Sequence, residues 1–393
     1  MNTRRTFLKT SSTGLATILA ATSAPSILRG DTLAPNRKLG LAIVGLGGYA
    51  TRCIAPEIAS CKHVRLAGVV TGDPKAKGKK WAAEYGFDED AIHDYSNFDK
   101  IASDDRIDMV HIALPNSMHA EYAIRAAKAG KHVMVEKPMA TSSAECEAII
   151  AAAKKAGVLL GVNYRLHWEP HHLKAINLLE QGQVGDLACG NYEFSWGYVS
   201  ALTGPNKDKV KKWLLDPKMT GGGAMFDTGV YPIQAACYLT GKEPISVRGI
   251  PAKRHPELFS EGVEETMSYE LLFDDGFQAM CRASYSHSGH QCATLGNKGS
   301  VEVLPGVHPN GKRGSVFGQS GAGSPNPKAL KLNGRDIPLK QTLQQATLLD
   351  AFATAIQNGD KTFKTPGEMG LRDIRIIEAV YKSAAKGGLS VSI

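Results

Sequence analysis

The sequence predicts an α/β protein in which a doubly wound parallel sheet is followed by an α+β domain with a large, mostly antiparallel open sheet. Three observations predict this class. Apolar runs of strand length alternate with helical patterns over residues 38–164. Longer strands of alternating polarity, separated by turn residues, follow within residues 165–393. A glycine-rich turn at residues 45–50 comes directly after the first apolar run.

Five strands are predicted in the N-terminal part of the chain. They cover residues 39–44, 64–71, 108–114, 132–135 and 158–164. Between the later strands, apolar residues recur at i, i+3, i+4 and i+7 within residues 120–127 and 146–153, which is typical of helices packed on a sheet. Strands and helices that alternate at this spacing predict a parallel sheet with helices on both faces.

Six further strands are predicted after residue 164, where the pattern of the sequence changes. They cover residues 187–199, 245–250, 266–273, 277–285, 292–295 and 300–304. Residues 274–276 and 296–299 are typical of hairpin turns, so this second sheet is predicted to be mostly antiparallel. Residues 306–327 are predicted to form a loop, and two helices over residues 343–358 and 368–386 close the chain.

Residues 1–30 are predicted to be a twin-arginine signal peptide. Arg4 and Arg5 lie in the motif Thr-Arg-Arg-Thr-Phe-Leu-Lys, and an apolar run over residues 14–21 follows. That run is too short to span a bilayer. Residues 31–37 are then a short arm. Because the twin-arginine machinery exports proteins already folded, we expect a periplasmic protein without stable membrane insertion.

The composition argues against a protein that binds nucleic acid. Half of the formal net charge of +8 lies in the signal segment, which carries Arg4, Arg5, Lys9 and Arg29 and no acidic residue. The remaining positive charge is spread without a long basic run interleaved with aromatic residues. The seven cysteines show no CxxC or Cys/His ligand spacing, so no metal site is expected.

The glycine-rich turn predicts a dinucleotide site. Gly45 permits the tight turn after the first strand, and Gly47 lets the backbone approach a pyrophosphate at the N-terminus of the next helix. An exported protein leaves the cytosolic nucleotide pool behind. We therefore expect the nucleotide to be held tightly and to be recharged in place, by oxidation of one small molecule and reduction of another.

Residues after the second strand bear on the choice between NADP and NAD. Thr71 is neutral and can bind a phosphate, and Lys75 and Lys77 follow within reach, which favours NADP. Asp73 favours NAD, because an acidic residue at this place binds the ribose 2′-hydroxyl. The lysines also have a purely structural explanation as the solvated face of a helix. The sequence predicts NADP, with NAD as the alternative.

Polar residues that follow two later strands predict a site on the same edge of the sheet. Asn116 and His119 follow residues 108–114, and Glu136 and Lys137 follow residues 132–135. Each also has a structural explanation. Asn116 can cap a helix, His119 can lie on the surface, and Glu136 with Lys137 can form an ion pair.

A second chemical motif follows three glycines at residues 221–223. Asp227 and Tyr231 are four residues apart, so both project from one face of a helix. A carboxylate and a phenol beside a lysine suit proton transfer at a sugar hydroxyl. A free phenol titrates near pH 10, roughly, and therefore needs a cation such as Lys137 beside it to act as a base at neutral pH. A capped helix with a buried tyrosine is the alternative.

These motifs together resemble the glucose–fructose oxidoreductase, inositol dehydrogenase and MocA family (Gfo/Idh/MocA). The likeness covers nearly everything past residue 30 and is closest to the periplasmic glucose–fructose oxidoreductases. It depends on several long motifs in order, which are residues 95–101, 114–119, 131–134, 136–142 and 221–231. The resemblance implies a Rossmann domain over residues 38–164 and a substrate and oligomerisation domain over residues 165–393.

The resemblance also implies an activity. Members of this kind hold NADP tightly, oxidise an aldose at C1 to a lactone and reduce a second sugar on the same nucleotide. Lys137, Asp227 and Tyr231 match the family's catalytic positions. Tyr231 takes and returns the proton of the sugar hydroxyl, Lys137 polarises the same oxygen, and Asp227 orients the sugar or the tyrosine. The expected partners are small sugars, the twin-arginine machinery and further copies of the chain in a dimer or tetramer.

By the same matching, a larger set of residues is expected to bind the cofactor. It comprises Gly45, Leu46, Gly47, Gly48, Tyr49, Ala50, Thr71, Lys77, Tyr95, Leu114, Pro115, Asn116, His119, Glu136, Lys137, Arg165 and Trp213. Two features depart from the family pattern. Leu214 replaces an arginine that helps to grip the nucleotide, and the arm over residues 31–37 is short.

Two other functions compete with the sugar oxidoreductase. Some exported members of the superfamily use NAD as a transient oxidant to cleave glycosides, but these usually lack a lysine at the position of Lys137. A non-enzymatic sensor of sugars or nucleotides is the third possibility. The presence of Lys137, Asp227 and Tyr231 together argues against it.

Overall fold

The computed structural model describes residues 37–205, 207–259, 261–307, 314–318 and 328–393. The predicted signal peptide and all of the predicted arm except Arg37 lie outside the described residues, as does most of the predicted loop over residues 306–327. Among the described residues, no helix is both long enough and apolar enough to cross a membrane.

The N-terminal sheet within the described residues has six strands, and all of its neighbouring pairs are parallel. The strands are β1 (Leu39–Val44), β2 (Val64–Val70), β3 (Ile92–His93), β4 (Met109–Ile112), β5 (His132–Val135) and β6 (Leu160–Val162). Their spatial order is β3-β2-β1-β4-β5-β6. This is the doubly wound order of dinucleotide-binding domains, so the predicted parallel sheet is confirmed. The two-residue strand β3 was too short for a periodicity to predict.

Helices and tight turns connect these strands. The helices are α1 (Ala55–Ile58), α2 (Lys79–Tyr85), α3 (Asn116–Lys128) and α4 (Ser143–Ala156). α1 and α2 are each preceded by a π-helical turn, at Ala50–Ile54 and Pro74–Gly78. Helix α4 begins where the Ser142 side chain accepts a hydrogen bond from the amide of Glu145, and it ends at Gly157 in the left-handed conformation.

The second sheet has nine strands within the described residues. They are β7 (Leu187–Ser195), β8 (Ser246–Ala252), β9 (Thr266–Leu272), β10 (Gln278–Ser284), β11 (Gly289–Gly296), β12 (Gly299–Pro305), β13 (Lys328–Leu332), β14 (Arg335–Ile337) and β15 (Val391–Ser392). The order is β14-β13-β12-β11-β7-β10-β9-β8-β15. Every neighbouring pair is antiparallel except β7 with β10, so the mostly antiparallel sheet is confirmed. Strands β13 to β15 were missed because they are short, and β14 and β15 are the two edge strands of the sheet.

Seven helices accompany this sheet in the described residues. They are α5 (Pro170–Glu180), α6 (Val199–Thr203), α7 (Lys207–Leu214), α8 (Pro217–Thr220), α9 (Val230–Thr240), α10 (Gln344–Asn358) and α11 (Gly367–Ala385). The predicted strand over residues 187–199 ends at Ser195, and the chain turns into α6 at Val199. The alternation that suggested a longer strand continues in Trp196 and Tyr198, whose rings stack on each other past the strand end.

Helix α10 returns from the C-terminal part of the chain to the first sheet. Leu349 and Phe352 pack in one apolar cluster with Leu41 and Ile43 of β1. The buried carboxylate of Glu57 accepts hydrogen bonds at 2.8 and 3.0 Å from the first amides of α10. The predicted domain boundary at residue 164 therefore separates the two sheets along the chain, but α10 packs on the sheet that precedes it.

Candidate functional site

The site lies where the order of strands in the parallel sheet reverses. Strands β1 and β4 are neighbours at the centre of the sheet. The chain adds β2 and β3 on the side of β1, and β5 and β6 on the side of β4. Gly45, which follows β1, donates a backbone hydrogen bond to Val70, and Glu136, which follows β5, donates one to Ile112. The residues after these strands are thus held at one edge. Ligands of open α/β sheets bind outside this edge, at the point of reversal.

The glycine-rich turn is shaped for a ligand that approaches the backbone closely. Gly45 has a φ of +97°, and a Cβ atom there would lie 2.5 Å from the carbonyl oxygen of Ala113, so this position requires glycine. A Cβ atom on Gly47 would meet nothing within 4 Å. The turn therefore leaves open space in front of Gly47, at the place where a pyrophosphate binds in such folds. Leu46 is buried beneath the turn, and Ala50 begins the π-helical turn that follows it.

Arg52 was missed as a site residue. A Cβ atom on Gly48 would lie 3.0 Å from a guanidinium nitrogen of Arg52, so this exposed cation lies beside the glycine-rich turn. Its place two residues after Ala50 was a signal that could have found it, because a cation close to a phosphate turn favours an anionic ligand.

Lys137, Asp227 and Tyr231 come together although ninety residues separate the first two. The Lys137 ammonium donates a hydrogen bond of 2.7 Å to the backbone carbonyl of Asp227, and it lies 3.4 Å from the carboxylate oxygen Oδ1. The same nitrogen lies 4.7 Å from the centre of the Tyr231 ring. The structure therefore joins the end of β5 to the residues before and within α9, in the arrangement that the sequence predicts.

Opposing effects act on the charge of Lys137. Burial alone would lower the pKa of its ammonium, but the negative charges that Tyr231, Asp227 and Glu136 can carry raise it, and the net result is a raised pKa. Lys137 is therefore a cation at neutral pH. A cation held in a partly buried site stabilises negative charge that develops on a nearby oxygen.

A second cation lies against the phenol. One guanidinium nitrogen of Arg165 is 3.4 Å from the Tyr231 hydroxyl oxygen, and the Arg165 side chain also donates hydrogen bonds to the backbone carbonyl of Phe317 and to the side chain of Gln344. Burial opposes the charge of Arg165, but Tyr231 and Tyr49 raise its pKa further. Arg165 was predicted to line the cofactor, and the structure places it beside the predicted catalytic tyrosine.

Asp227 lies in a π-helical turn, Met225–Gly229, that opens directly into α9. The buried carboxylate of Glu264 fixes this turn by accepting hydrogen bonds from the amides of Gly223 and Met225 at 3.0 and 2.7 Å. A Cβ atom on Gly223 would lie 2.1 Å from the backbone oxygen of Glu264, which explains a glycine there. The turn is therefore a rigid support for Asp227.

Tyr285 was also missed as a site residue. Its buried hydroxyl lies 3.3 Å from the Asp227 carboxylate oxygen Oδ2, so Asp227 has Lys137 on one side and Tyr285 on the other. Tyr285 follows β10, far from Asp227 in sequence. No local spacing could have found this contact, because it depends on how α9 packs on the second sheet.

Glu136 and Tyr49 lie near enough to each other to interact electrostatically, and each is held by side-chain hydrogen bonds. The Glu136 carboxylate bonds the ring of His111 at 2.9 Å and accepts a hydrogen bond from the side chain of Asn163. The Tyr49 hydroxyl accepts a hydrogen bond of 2.6 Å from Gln345 on α10. Burial, and then the nearby Glu136, raise the pKa of Tyr49 well above its ordinary value. In the described part of the chain, Glu136 thus pairs with His111 and Asn163, and Lys137 pairs with Asp227, instead of the ion pair of Glu136 with Lys137 that the sequence also allowed.

Residues after β2 form a separate group farther along the same edge. The Asp73 carboxylate accepts the amide hydrogen of Ala76 at 3.0 Å and so caps the following turn. Thr71 is buried, whereas Lys75 and Lys77 are exposed. The ring of Tyr95 lies over Gly72, where a Cβ atom would be 3.3 Å from the ring.

The remaining predicted cofactor residues have structural contacts in this chain. Asn116 at the start of α3 donates a hydrogen bond of 2.8 Å to the carbonyl of Thr220, and Pro115 precedes this helix. His119 is fully buried, and its two ring nitrogens each lie 2.9 Å from a backbone oxygen, of Leu114 and of Pro138. His119 thus connects the residues that follow β4 to those that follow β5. A direct role of Asn116 or His119 in binding a cofactor stays a prediction.

Trp213 and Leu214 end helix α7. Trp213 is 42% exposed, and Leu214 is fully buried in an apolar cluster with Leu202, Phe259 and Tyr285. The departure at Leu214 therefore replaces an arginine with a side chain that packs inward. The role of Trp213 toward a cofactor stays a prediction. Within the described part of the chain, no group of three or more His, Cys, Asp or Glu residues could hold a metal ion.

The two glycines of the turn provide a matched test of this site. Gly45→Ala is expected to lower the free energy of unfolding by about 1–3 kcal/mol, because alanine is strained at this φ and would contact Ala113. Gly47→Ala is expected to change it by less than about 0.5 kcal/mol and to raise the Kd for NADPH at least about tenfold, because the new methyl group enters the open space. Urea unfolding and NADPH fluorescence titration measure the two effects. Unchanged NADPH binding by Gly47→Ala would place the nucleotide elsewhere.

Two family models match the chain. The model of the oxidoreductase family with an NAD-binding Rossmann fold, Gfo/Idh/MocA, matches residues 39–164. The model of the Gfo/Idh/MocA C-terminal domain matches residues 172–302. The matches divide the chain between the two sheets described above.

Similar proteins cover most of the chain. The crystal structure of aldose-aldose oxidoreductase from Caulobacter crescentus complexed with glycerol is 36% identical, with a TM-score of 0.80, over 91% of this chain and 100% of that one. D-xylose 1-dehydrogenase [NADP(+)] from Haloarcula marismortui is 26% identical over 90% of this chain and 93% of its own length. The dTDP-3,4-didehydro-2,6-dideoxy-alpha-D-glucose 3-reductase from Saccharopolyspora spinosa is 30% identical over 68% and 75%. The chain therefore belongs to the Gfo/Idh/MocA family of oxidoreductases and carries its NAD(P)-binding Rossmann domain.

Proposed function

We propose that this protein is an NADP-dependent sugar oxidoreductase that oxidises an aldose at C1 to the lactone and reduces a second sugar on the same tightly bound nucleotide. The observation that carries the proposal is the Tyr231 phenol held between two cations, with Lys137 4.7 Å from its ring and Arg165 3.4 Å from its hydroxyl oxygen. A proton-transferring group at the edge of a dinucleotide-binding sheet suits the oxidation of an alcohol.

The names of the relatives support a sugar as the substrate. A xylose dehydrogenase and a reductase of a nucleotide-linked sugar both act on carbohydrate, and the name of the Caulobacter enzyme pairs two aldoses. A cycle on two sugars suits a bound nucleotide that is not exchanged with a soluble pool. An enzyme that exchanged its nucleotide with solution and oxidised only one sugar would instead be an ordinary dehydrogenase.

In the oxidative half of the cycle, Tyr231 accepts the proton of the C1 hydroxyl as the C1–H bond breaks. A bound nicotinamide would accept the hydride that leaves C1 and could later give it back. Arg165 donates to the phenol oxygen, and Lys137 lies beside the ring, so both cations stabilise negative charge on the oxygens between them. Asp227 holds Lys137 in place through its backbone carbonyl and offers its carboxylate to a sugar hydroxyl.

In the reductive half, the same residues act in the opposite direction. Tyr231 returns the proton to the carbonyl oxygen of the second sugar as a C–H bond forms at its carbonyl carbon. Lys137 polarises that carbonyl by its positive charge. The raised pKa of Lys137 means that this charge is kept at neutral pH. Protons and hydride therefore balance over the two halves. Tyr231 begins without the proton, carries it after the oxidative half, and ends without it again once the second sugar is reduced.

The residues after β2 support NADP as the nucleotide. The Asp73 carboxylate, which favoured NAD in the sequence, caps the local turn through the amide of Ala76. Lys75 and Lys77 are exposed on that turn. We expect their ammonium groups to bind the 2′-phosphate of NADP. Thr71 lies buried at the strand end.

Titration with NADPH and with NADH tests the preference for NADP. We expect a Kd for NADPH roughly tenfold or more below the Kd for NADH, because charge-assisted hydrogen bonds from lysine are worth about 1.5–3 kcal/mol. Lys77→Glu should remove most of this difference. Lys80→Glu, an equal change of charge at an exposed position on α2, is the control. Equal Kd values for the two nucleotides in the unaltered protein would contradict the preference.

Export and assembly complete the proposal. The twin-arginine motif at Arg4 and Arg5 supports delivery of the folded protein to the periplasm. A homo-oligomer is supported by the outward face of the second sheet, where Ile250 and Met280 are 63% and 53% exposed beside a depression of about 270 Å³. Cell fractionation and sedimentation equilibrium measure these two properties, and a cytosolic location or a monomer would contradict them.

The mechanism predicts a sharp effect of Tyr231→Phe. The unaltered protein loaded with NADP should gain the nicotinamide absorbance band when glucose is added and lose it when fructose follows. Tyr231→Phe should do so about 10²–10⁴-fold more slowly while the nucleotide stays bound, because only the hydroxyl that moves the proton is removed. Stopped-flow absorbance measures both steps.

Tyr85→Phe is the matched control, because it removes a hydroxyl from a tyrosine on α2, outside the site. Near-normal rates in Tyr231→Phe would exclude this tyrosine from proton transfer. A band that appears with glucose but persists with fructose would exclude the two-sugar cycle with this pair and leave a dehydrogenase.

A further inference from the structure

An exposed tryptophan follows β7 on the face of the sheet that meets the site. Side chains along a strand alternate between faces, so Trp196 continues the row of Tyr192 and Phe194. Tyr192 and Phe194 are buried, whereas Trp196 is 46% exposed just past the strand end. The inner face of the sheet thus ends in a large aromatic surface open to solvent.

Two chains of aromatic contact connect Trp196 to the predicted catalytic residues. In the first, the Trp196 ring centre lies 5.8 Å from that of Phe194, which lies 4.8 Å from that of Tyr231. In the second, Trp196 stacks on Tyr198 at 6.0 Å and 17°, and Tyr198 meets Tyr285 edge-on at 5.2 Å. Tyr285 contacts the carboxylate of Asp227. The exposed ring is therefore continuous with the site.

The backbone holds this aromatic pair in place. The amide of Trp196 donates a hydrogen bond of 2.7 Å to Ser284, and the amide of Tyr198 donates one of 2.9 Å to Tyr285. Between them, the Gly197 amide donates to the hydroxyl of Ser288 at 3.3 Å. A large ring that is fixed by strand pairing loses little conformational freedom on binding, which favours recognition of a flat apolar surface.

We propose that Trp196 is the platform of a second sugar subsite, so that the enzyme accepts reducing oligosaccharides. This inference rests on the proposed function. The ring that is oxidised must place C1 at Tyr231, so a glycosyl substituent on that ring lies farther out along the substrate. The C–H groups on one face of a pyranose form an apolar surface of the size of an indole ring. Stacking of that face on Trp196 therefore binds the next ring.

Kinetics with glucose and maltose test the subsite. In the NADP-loaded protein, Trp196→Ala is expected to lower kcat/KM for maltose about tenfold relative to kcat/KM for glucose, because one aromatic stacking surface is lost. Trp196→Phe, which keeps a smaller ring, should lie between. Leu389→Ala removes an apolar side chain that is 65% exposed elsewhere and is the control. An unchanged maltose-to-glucose ratio in Trp196→Ala would overturn the subsite.

Tryptophan fluorescence separates this inference from the proposed function. Maltose should change the emission of the unaltered protein and not that of Trp196→Phe. If no sugar reduces the nucleotide but maltose still changes the emission through Trp196, the proposed function fails and the subsite stands. If Trp196→Phe responds to maltose as the unaltered protein does, or if Trp196→Ala changes the sedimentation mass, the subsite is excluded, and a changed mass identifies Trp196 as a contact between subunits.

Discussion

The hydrogen bond from the Lys137 ammonium to the backbone of Asp227 is the contact on which the rest of the site depends. Lys137 follows β5 of the parallel sheet, and Asp227 lies in the turn that opens α9 on the second sheet. One side chain thus joins the edge where a nucleotide binds to the element that carries Tyr231. A partly buried ammonium left without such a partner would be costly, so the same contact also favours this arrangement of the two parts.

The proposed proton transfer at Tyr231 depends on charged side chains that are held in a largely buried site of low dielectric constant. Lys137 and Arg165 present two cations to one phenol, and Asp227 offsets them. Arg165 is itself fixed by Gln344 at the start of α10 and by the backbone of Phe317. Groups whose positions are set by such contacts need little reorganisation when charge develops on a substrate oxygen. The buried rings of Phe194 and Phe317 pack beside Tyr231 and make this side of the phenol apolar.

Much of the fold and the core of the site could be predicted from the sequence, for a physical reason. In a parallel sheet, strand ends meet at one edge, so Gly45, Glu136 and Lys137 had to converge once the strands were recognised. Asp227 and Tyr231 were found by their spacing of four residues, although Asp227 lies in the π-helical turn that precedes α9 and only Tyr231 lies within α9. Contacts that depend on packing between distant segments could not be predicted in this way. Arg165 with Phe317, Tyr285 with Asp227, and the return of α10 to the first sheet are of this kind.

A single-turnover comparison of Lys137→Met with the unaltered protein tests the central role of Lys137 most directly. Methionine keeps a long unbranched side chain and removes only the charge and its hydrogen bonds. At saturating NADP and glucose, we expect the nicotinamide band to grow about 10²–10⁴-fold more slowly in Lys137→Met. The two proteins should have similar circular dichroism. A rate within about twofold of the unaltered protein, which is less than about 0.5 kcal/mol in activation free energy, would show that the charge of Lys137 is not needed for the reaction.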